Sequence, residues 1–295
     1  SLKLGAICNV NQGLRTGADK VSPKHIKDYK LDENLFEKGE GILILNNAEI
    51  SALNLSLYEK TKIKPLYKNS DIKQFRASNS TVFNLIDVFW PNDRNIDLTT
   101  IPNIYRHFQK YRTILENRKE NANGLDKAIQ KGFYYFGSVR RKLDFSIPKI
   151  VSPQRSKRNV FAYVEGDWYA SADVYYISSP SNEVSLKYIL GLLNSKLYYL
   201  WFYHRGKRKG EMLELYQKPL SETPIKIISN QNIVVDIVNK IMALKSLGNS
   251  SIELELQLNI VIAKIYDLTF EEFMFLYKNE ELDIIKSDYD KLSYS

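Results

Sequence analysis

The chain has a single cysteine, Cys8, so no disulfide can form within it. Its three histidines (His25, His107, His204) lie far apart, none with a partner at metal-ligand spacing, and no metal site is expected. No apolar run approaches the ~20 residues of a membrane-spanning helix, and no signal peptide opens the chain. A reducing, cytoplasmic setting without a membrane partner is the expectation. The three methionines are Met212, Met242 and Met274. None begins the chain, so a fragment of a longer protein is expected, with Ser1 left over from cloning.

Motifs that carry catalysis are missing as well. There is no GxSxG elbow, no HExxH and no GxGxxG. The glycine-bearing loop from Gly13 to Lys20 fails as a phosphate-cradling loop. That motif needs GxxxxGK followed by Ser or Thr, whereas Lys20 lies three residues past Gly17 and is followed by Val21. An NPPY-type tetrapeptide and a glycine-rich S-adenosylmethionine loop are both absent. Asp28-Tyr29-Lys30 and Asp71-Ile72-Lys73 match the end of a PD-(D/E)xK nuclease pattern, but no upstream Pro-Asp precedes either. These 295 residues are expected to bind rather than to react, with no catalytic residue, metal or cofactor of their own.

What is present is positive charge, unevenly spread. The whole chain carries 42 Lys and Arg against 34 Asp and Glu. Ser1 to Gly210 holds 34 basic and 20 acidic residues, while Glu211 to Ser295 holds 8 basic and 14 acidic. The asymmetry points to two working regions, the basic one facing a polyanion. A basic excess also accompanies the Lys, Asn and Ile enrichment of low-GC bacterial chains. With 44% hydrophobic residues the chain has enough apolar material for a real core.

Gly132 to Ile177 concentrates that charge. Short runs of β-branched and aromatic residues (Phe133 to Phe136, Ile150 to Ser152, Val160 to Val164, Val174 to Ile177) alternate with turn residues and predict several short strands. Between them stand Arg140, Arg141, Lys142, Lys149, Arg155, Lys157 and Arg158, and Asp144 is the one acid from Gly132 to Val164. Cations beside aromatics on a β scaffold suit a phosphate backbone and base edges. The alternative is a solvated sheet edge, where such charges prevent edge-to-edge pairing.

Elsewhere, Leu4 to Val10 predicts a strand that leads into the Gly13–Lys20 loop. There Gln12, Arg15, Thr16 and Lys20 would project from a tight turn; the alternative is that the glycines only make the turn. Ile42 to Leu45 and Val82 to Phe89 predict further strands. Ile101 to Lys119 has the 3, 4, 7 spacing of an amphipathic helix, with Arg106, Lys110, Arg112, Arg118 and Lys119 on a solvated face. Val184 to Tyr203 predicts a second helix that stops and restarts at Asn194-Ser195. Arg205, Lys207, Arg208 and Lys209 follow as a compact cationic loop between glycines, either a phosphate clamp or a solvated turn. Ile233 to Leu247 and Ile252 to Tyr266 predict an antiparallel helix pair, and Thr269 with Glu272 a capping box opening a third helix.

Six segments in order carry a resemblance: VNQGLRTGADK (10–20), IKPLYKNSDIKQF (63–75), PKIVSPQRSKRNVFAY (148–163), WYASADVYYI (168–177), the Leu-rich helix with its NSK and GKRKG segments (186–225), and IAKIYDLTFEE (262–272). Together they resemble the C-terminal target-recognition domain of TaqI-like adenine-N6 DNA methyltransferases, also found in single-chain type IIG restriction-modification enzymes. The resemblance implies an α+β fold, with a mixed β-rich DNA-reading region and flanking helices over residues 1–228. An acidic, antiparallel helical region over 229–295 would follow. It also implies sequence-specific binding of double-stranded DNA, and a methyltransferase domain upstream in the same chain. S-adenosylmethionine belongs to that parent protein, with Mg²⁺ and a nuclease domain as further options. Contact loops diverge within such domains, so no base-specific residue is carried over.

The reading of the residues themselves makes Gln12, Arg15, Thr16, Gln154 and Arg155 candidates for base edges. Lys20, Arg140, Arg141, Lys142, Lys157, Arg158, Arg205, Lys207, Arg208 and Lys209 are candidates for phosphates. Tyr134 or Tyr135 would either support a distorted duplex or lie in the core. Two alternatives stay open: a specificity subunit that recruits a separate methyltransferase through its acidic helices, and a divergent nuclease domain.

Overall fold

The two strands that centre the fold are buried along their whole length, Lys149–Pro153 and Val174–Ser178. They pair antiparallel, flanked by Ala162–Val164 on one side and Asn9–Gln12 on the other. Successive side chains of a strand face opposite ways. Val151, Ala162, Val164, Val174 and Tyr176 accordingly enter one core, and Val10, Ile150, Tyr175 and Ile177 enter another. Burial on both faces is why these strands read as continuous apolar runs rather than alternating ones. The computed structural model describes residues 1–90, 93–118, 125–137, 144–181, 183–278, 282 and 284–291.

The first core lies under a second four-stranded sheet, in the order Tyr169–Ala170, Ile63–Tyr67, Phe83–Ile86 and Ile44–Asn46. Helices Pro102–Lys110 and Arg112–Glu116 pack against it with Ile104, Phe108, Ile114 and Leu115 buried. A single helix is expected across this stretch, but it breaks at Tyr111. There the backbone turns to φ −100° and ψ 16°, and the nearly inaccessible ring packs edge-on against His107 and Phe36.

The second core is helical. Leu186–Asn194 and Lys196–Arg205 meet at Ser195, whose hydroxyl caps the second helix by accepting the Tyr198 amide. Asn194 exchanges two hydrogen bonds with the Phe161 backbone, accepting at 3.0 Å and donating at 2.8 Å. Asn159 donates to the carbonyls of Leu193 and Ser195. The helix thus stops where its polar residues and end carbonyls are engaged by the segment from Asn159 to Phe161, as the Asn-Ser pair predicts. Asn232–Ser246 and Ile252–Ile265 complete this core through Val234, Ile237, Val238, Ile241, Leu258, Val261, Ile262 and Ile265. Thr269 and Glu272 form the expected capping box on helix Phe270–Leu276, which packs in a smaller cluster with Tyr289. The whole is a mixed α+β fold.

Two expected strands are strands only at their C-terminal ends. Leu4–Ile7 forms one helical turn, closed by the Cys8 amide on the Leu4 carbonyl, with Leu4 and Ile7 buried at helical spacing. The strand begins only at Asn9. Phe133 to Tyr135 is a turn closed by the Tyr135 amide on the Gly132 carbonyl, and the strand there is just Phe136–Gly137.

Candidate nucleic-acid interface

Where the Asn9–Gln12 strand runs out, the chain enters an open cleft of about 740 Å³. Gln12, Arg15, Thr16, Lys20 and Gln154 all line it, although 134 positions separate Lys20 from Gln154. The sheet explains the meeting, because the Asn9–Gln12 and Lys149–Pro153 strands flank Val174–Ser178 on either side and release their loops at the same end. The intervening turn, Ser171 to Asp173, is tied to both. The Gln12 side-chain amide donates to the Ala172 carbonyl at 2.7 Å, and the Gln154 amide donates to the Asp173 carbonyl at 2.7 Å. Gly13 and Leu14 donate to the carbonyls of Val174 and Ala170. A Cβ on Gly13 would meet the Ser171 and Ala170 carbonyl oxygens, so only glycine lets the loop lie this close.

The candidates are not equivalent. Arg15 is exposed, Gln12, Lys20 and Gln154 are half-buried, and Thr16 is buried with its hydroxyl donating to Asp19. Thr16 therefore shapes the loop. Lys20 stands 5.1 Å from the Phe83 ring. The amides of Gly13, Leu14 and Ala18 donate inside the protein.

The cationic loop expected at Arg205 to Lys209 is a β-hairpin. Lys207–Lys209 pairs with Met212–Glu214 through a two-residue turn, with Gly210 at φ +59° as such turns favour. Arg155–Ser156 adds on the far side of Met212–Glu214. Glu214 therefore lies directly across from both Arg155 and Lys207, at 3.1 Å and 3.2 Å, with its side chain 5% exposed. The Tyr216 hydroxyl donates to Glu214 at 3.1 Å and accepts from Arg155 at 2.6 Å. Burial pushes the Glu214 carboxyl up, but hydrogen bonds from Lys207, Tyr216 and Arg155 outweigh it and hold the group below its usual range. Lys207, Arg208 and Lys209 are all exposed, with Arg208 stacked 4.0 Å from the Tyr203 ring. Arg155 thus belongs to the hairpin, one residue beyond Gln154 in the cleft.

Other cations lie elsewhere. Lys157 is exposed in the turn after Arg155–Ser156, and Arg205 is exposed at the end of its helix. Arg158 lines a separate cavity with Lys196, Asn259 and Tyr277. Arg140, Arg141 and Lys142 lie outside the described residues. Lys149 is fully buried and donates to the carbonyls of Phe145, Ile147 and Gly166, which removes it from any contact surface. Burial lowers its ammonium to about 8. Tyr135 is a core residue whose hydroxyl donates to the Asp93 carbonyl, and Tyr134 packs edge-on against Tyr105.

Arg118 is the residue that sequence reading misplaces. Instead of a solvated face it occupies the interior, donating to the carbonyls of Leu115 (2.8 Å), Thr16 (3.1 Å), Phe133 (2.7 Å) and Tyr135 (2.7 Å). Burial lowers its guanidinium to about 10, so it stays charged near neutrality. It fastens the cleft loop to the helical side of the first core. The asparagines around position 118 gave no warning; helical phase was the available signal, since Arg118 lies three and four residues past Leu115 and Ile114, both buried.

The fold is an α+β module in which polar tips converge at one sheet end, beside a hairpin edged with cations. The chain belongs to the TaqI-like C-terminal specificity domain family, whose model matches residues 64–225. It is 25% identical over 267 residues to the type II methyltransferase M.HindII of Haemophilus influenzae, covering 88% of this chain and 46% of that protein. It is 27% identical over 264 residues to the type II methyltransferase M.MjaIV of Methanocaldococcus jannaschii, covering 86% of this chain and 85% of that protein. The chain therefore spans about half the length of M.HindII and most of M.MjaIV. Among solved structures, the type IIL restriction-modification enzyme MmeI in complex with DNA shares the fold at a TM-score of 0.60 and 12% identity. That match covers 99% of this chain and 37% of that one.

Proposed function

We propose that this chain is the DNA target-recognition module of a site-specific adenine-N6 DNA methyltransferase, or of a restriction-modification enzyme containing one, and is not itself catalytic. The observation that carries the reading is the convergence of Gln12, Arg15, Lys20 and Gln154 on one cleft beside the Lys207–Lys209 hairpin. In the major groove a glutamine matches the N6/N7 pair of adenine and an arginine the O6/N7 pair of guanine. The exposed hairpin cations would hold phosphates, which fix register without carrying sequence information. Membership of the specificity-domain family and similarity to proteins named methyltransferases support this division of labour.

Methylating adenine N6 requires the base to leave the stack and enter a separate pocket. That chemistry, and the S-adenosylmethionine it consumes, is assigned to a methyltransferase domain upstream in the parent protein; Mg²⁺ would be needed only by an accompanying nuclease domain. The partner of this chain is double-stranded DNA, met in the cytoplasm. The test is selection from a randomised duplex library with this chain at ~150 mM salt. Enrichment of one short motif is expected, with N6-methyladenine inside that motif on DNA treated with the full-length protein. A selected pool with no shared motif would end the proposal.

A further inference from the structure

The cleft contains a charge that a phosphate-binding surface should avoid. Asp173 sits in the turn between Gln12 and Gln154 and lines the cleft with them. Among the described residues no Lys or Arg pairs with it. Its Oδ1 accepts the Ser171 hydroxyl, and no hydrogen bond reaches Oδ2 among the described residues. Asp19 lines the same cleft, near enough for the two carboxylates to repel each other.

The turn is held on every side. Gln154 donates to the Asp173 carbonyl and Gln12 to that of Ala172, while the Val174 amide closes back on the Ser171 carbonyl at 3.1 Å. The Ser171 hydroxyl then fixes the side-chain rotamer. A carboxylate held this way, in a cleft it shares with Asp19, Arg15, Lys20, Gln12 and Gln154, calls for a hydrogen-bond donor on whatever enters, because an ionised carboxylate can only accept.

We propose that Asp173 is a specificity-determining residue that accepts a hydrogen bond from the N4 amino group of a cytosine in the recognised site. The proposal rests on the duplex-reading function given above and names one letter of its target. Two base edges in the major groove offer an amino group, cytosine N4 and adenine N6. Adenine sets its N7 acceptor beside that amine, where it opposes the second carboxylate oxygen. Cytosine sets no acceptor there. Any phosphate near Asp173 is disfavoured by like charge, so the residue also excludes registers in which the backbone enters the cleft.

The experiment compares the full chain with Asp173→Ala and Asp173→Asn, using duplex selection followed by measured affinities for each single-base variant of the selected motif. Asp173→Ala should lose preference at one C·G position by ~5- to 100-fold while keeping the others. Its affinity for unrelated DNA should hold or rise, since a negative charge is gone. Asp173→Asn keeps the Ser171 hydrogen bond and presents a donor beside its acceptor, so preference at that position should move from cytosine to adenine. A folded Asp173→Ala with unchanged preference everywhere, or with equal losses at every position, overturns the assignment and leaves the recognition function standing. Absence of any motif with the unaltered chain overturns both.

Discussion

A Cβ atom placed on Gly13 would lie 2.2 Å from the carbonyl oxygen of Ser171, and this approach brings the two walls of the cleft together. The neighbour is backbone, tied down by the Val174 amide, and cannot swing aside as a side-chain tip would. Gly13→Ala should therefore cost roughly 1–3 kcal/mol of stability. It should also blunt sequence preference by separating Gln12 and Arg15 from Gln154. Urea unfolding reads the first effect and single-base affinity ratios the second. Wild-type values for both would mean that the loop relaxes freely.

Arg118→Met should be more damaging, because four buried carbonyls lose a shared donor. A loss on the order of 3 kcal/mol is expected from unsatisfied acceptors of this kind. Arg118→Lys should recover only part of it, since an ammonium has three donors and lacks the guanidinium fork. Thermal unfolding of the two variants beside the parent checks the order. A lysine variant as stable as the parent would show that charge, and not the fork geometry, holds the loop.

Replacing Lys207, Arg208 and Lys209 together with Gln tests the hairpin. Affinity should fall alike for specific and unrelated duplexes, and the slope of log K against log salt should become shallower by ~2–3, about 0.9 for each phosphate released. Fluorescence anisotropy over a salt series measures both. A loss confined to the selected motif would move the hairpin from the backbone to the bases.

Much of this architecture is legible in the sequence because it follows from local rules. The stop at Asn194-Ser195, the Thr269 capping box and the paired helices after Asn232 all follow from residue preferences within a few positions. The cleft is partly legible: Gln12, Arg15, Lys20 and Gln154 stand out as polar tips beside predicted strands, but nothing local says that their loops share one end of a sheet. The failures have a common physical origin in long-range polar contacts. Arg118 and Lys149 look like surface cations until the carbonyls that enclose them are brought near by the fold. Arg155, a candidate base reader in the sequence, keeps its side chain partly exposed, and the contact that the sequence hides is with Glu214, 59 residues away. Lys207–Lys209 hides its strand because three consecutive cations suit only a sheet edge, which is where the hairpin puts them.

The central ladder has a consequence for anyone exchanging specificities between sister domains. Ile150 and Val151, like Tyr175 and Tyr176, are neighbours in the chain that serve different cores. A grafted segment spanning residues 154–173 brings its own loops. It must return to the ladder with the same parity, however, because an odd slip would trade the contents of the two interiors at once.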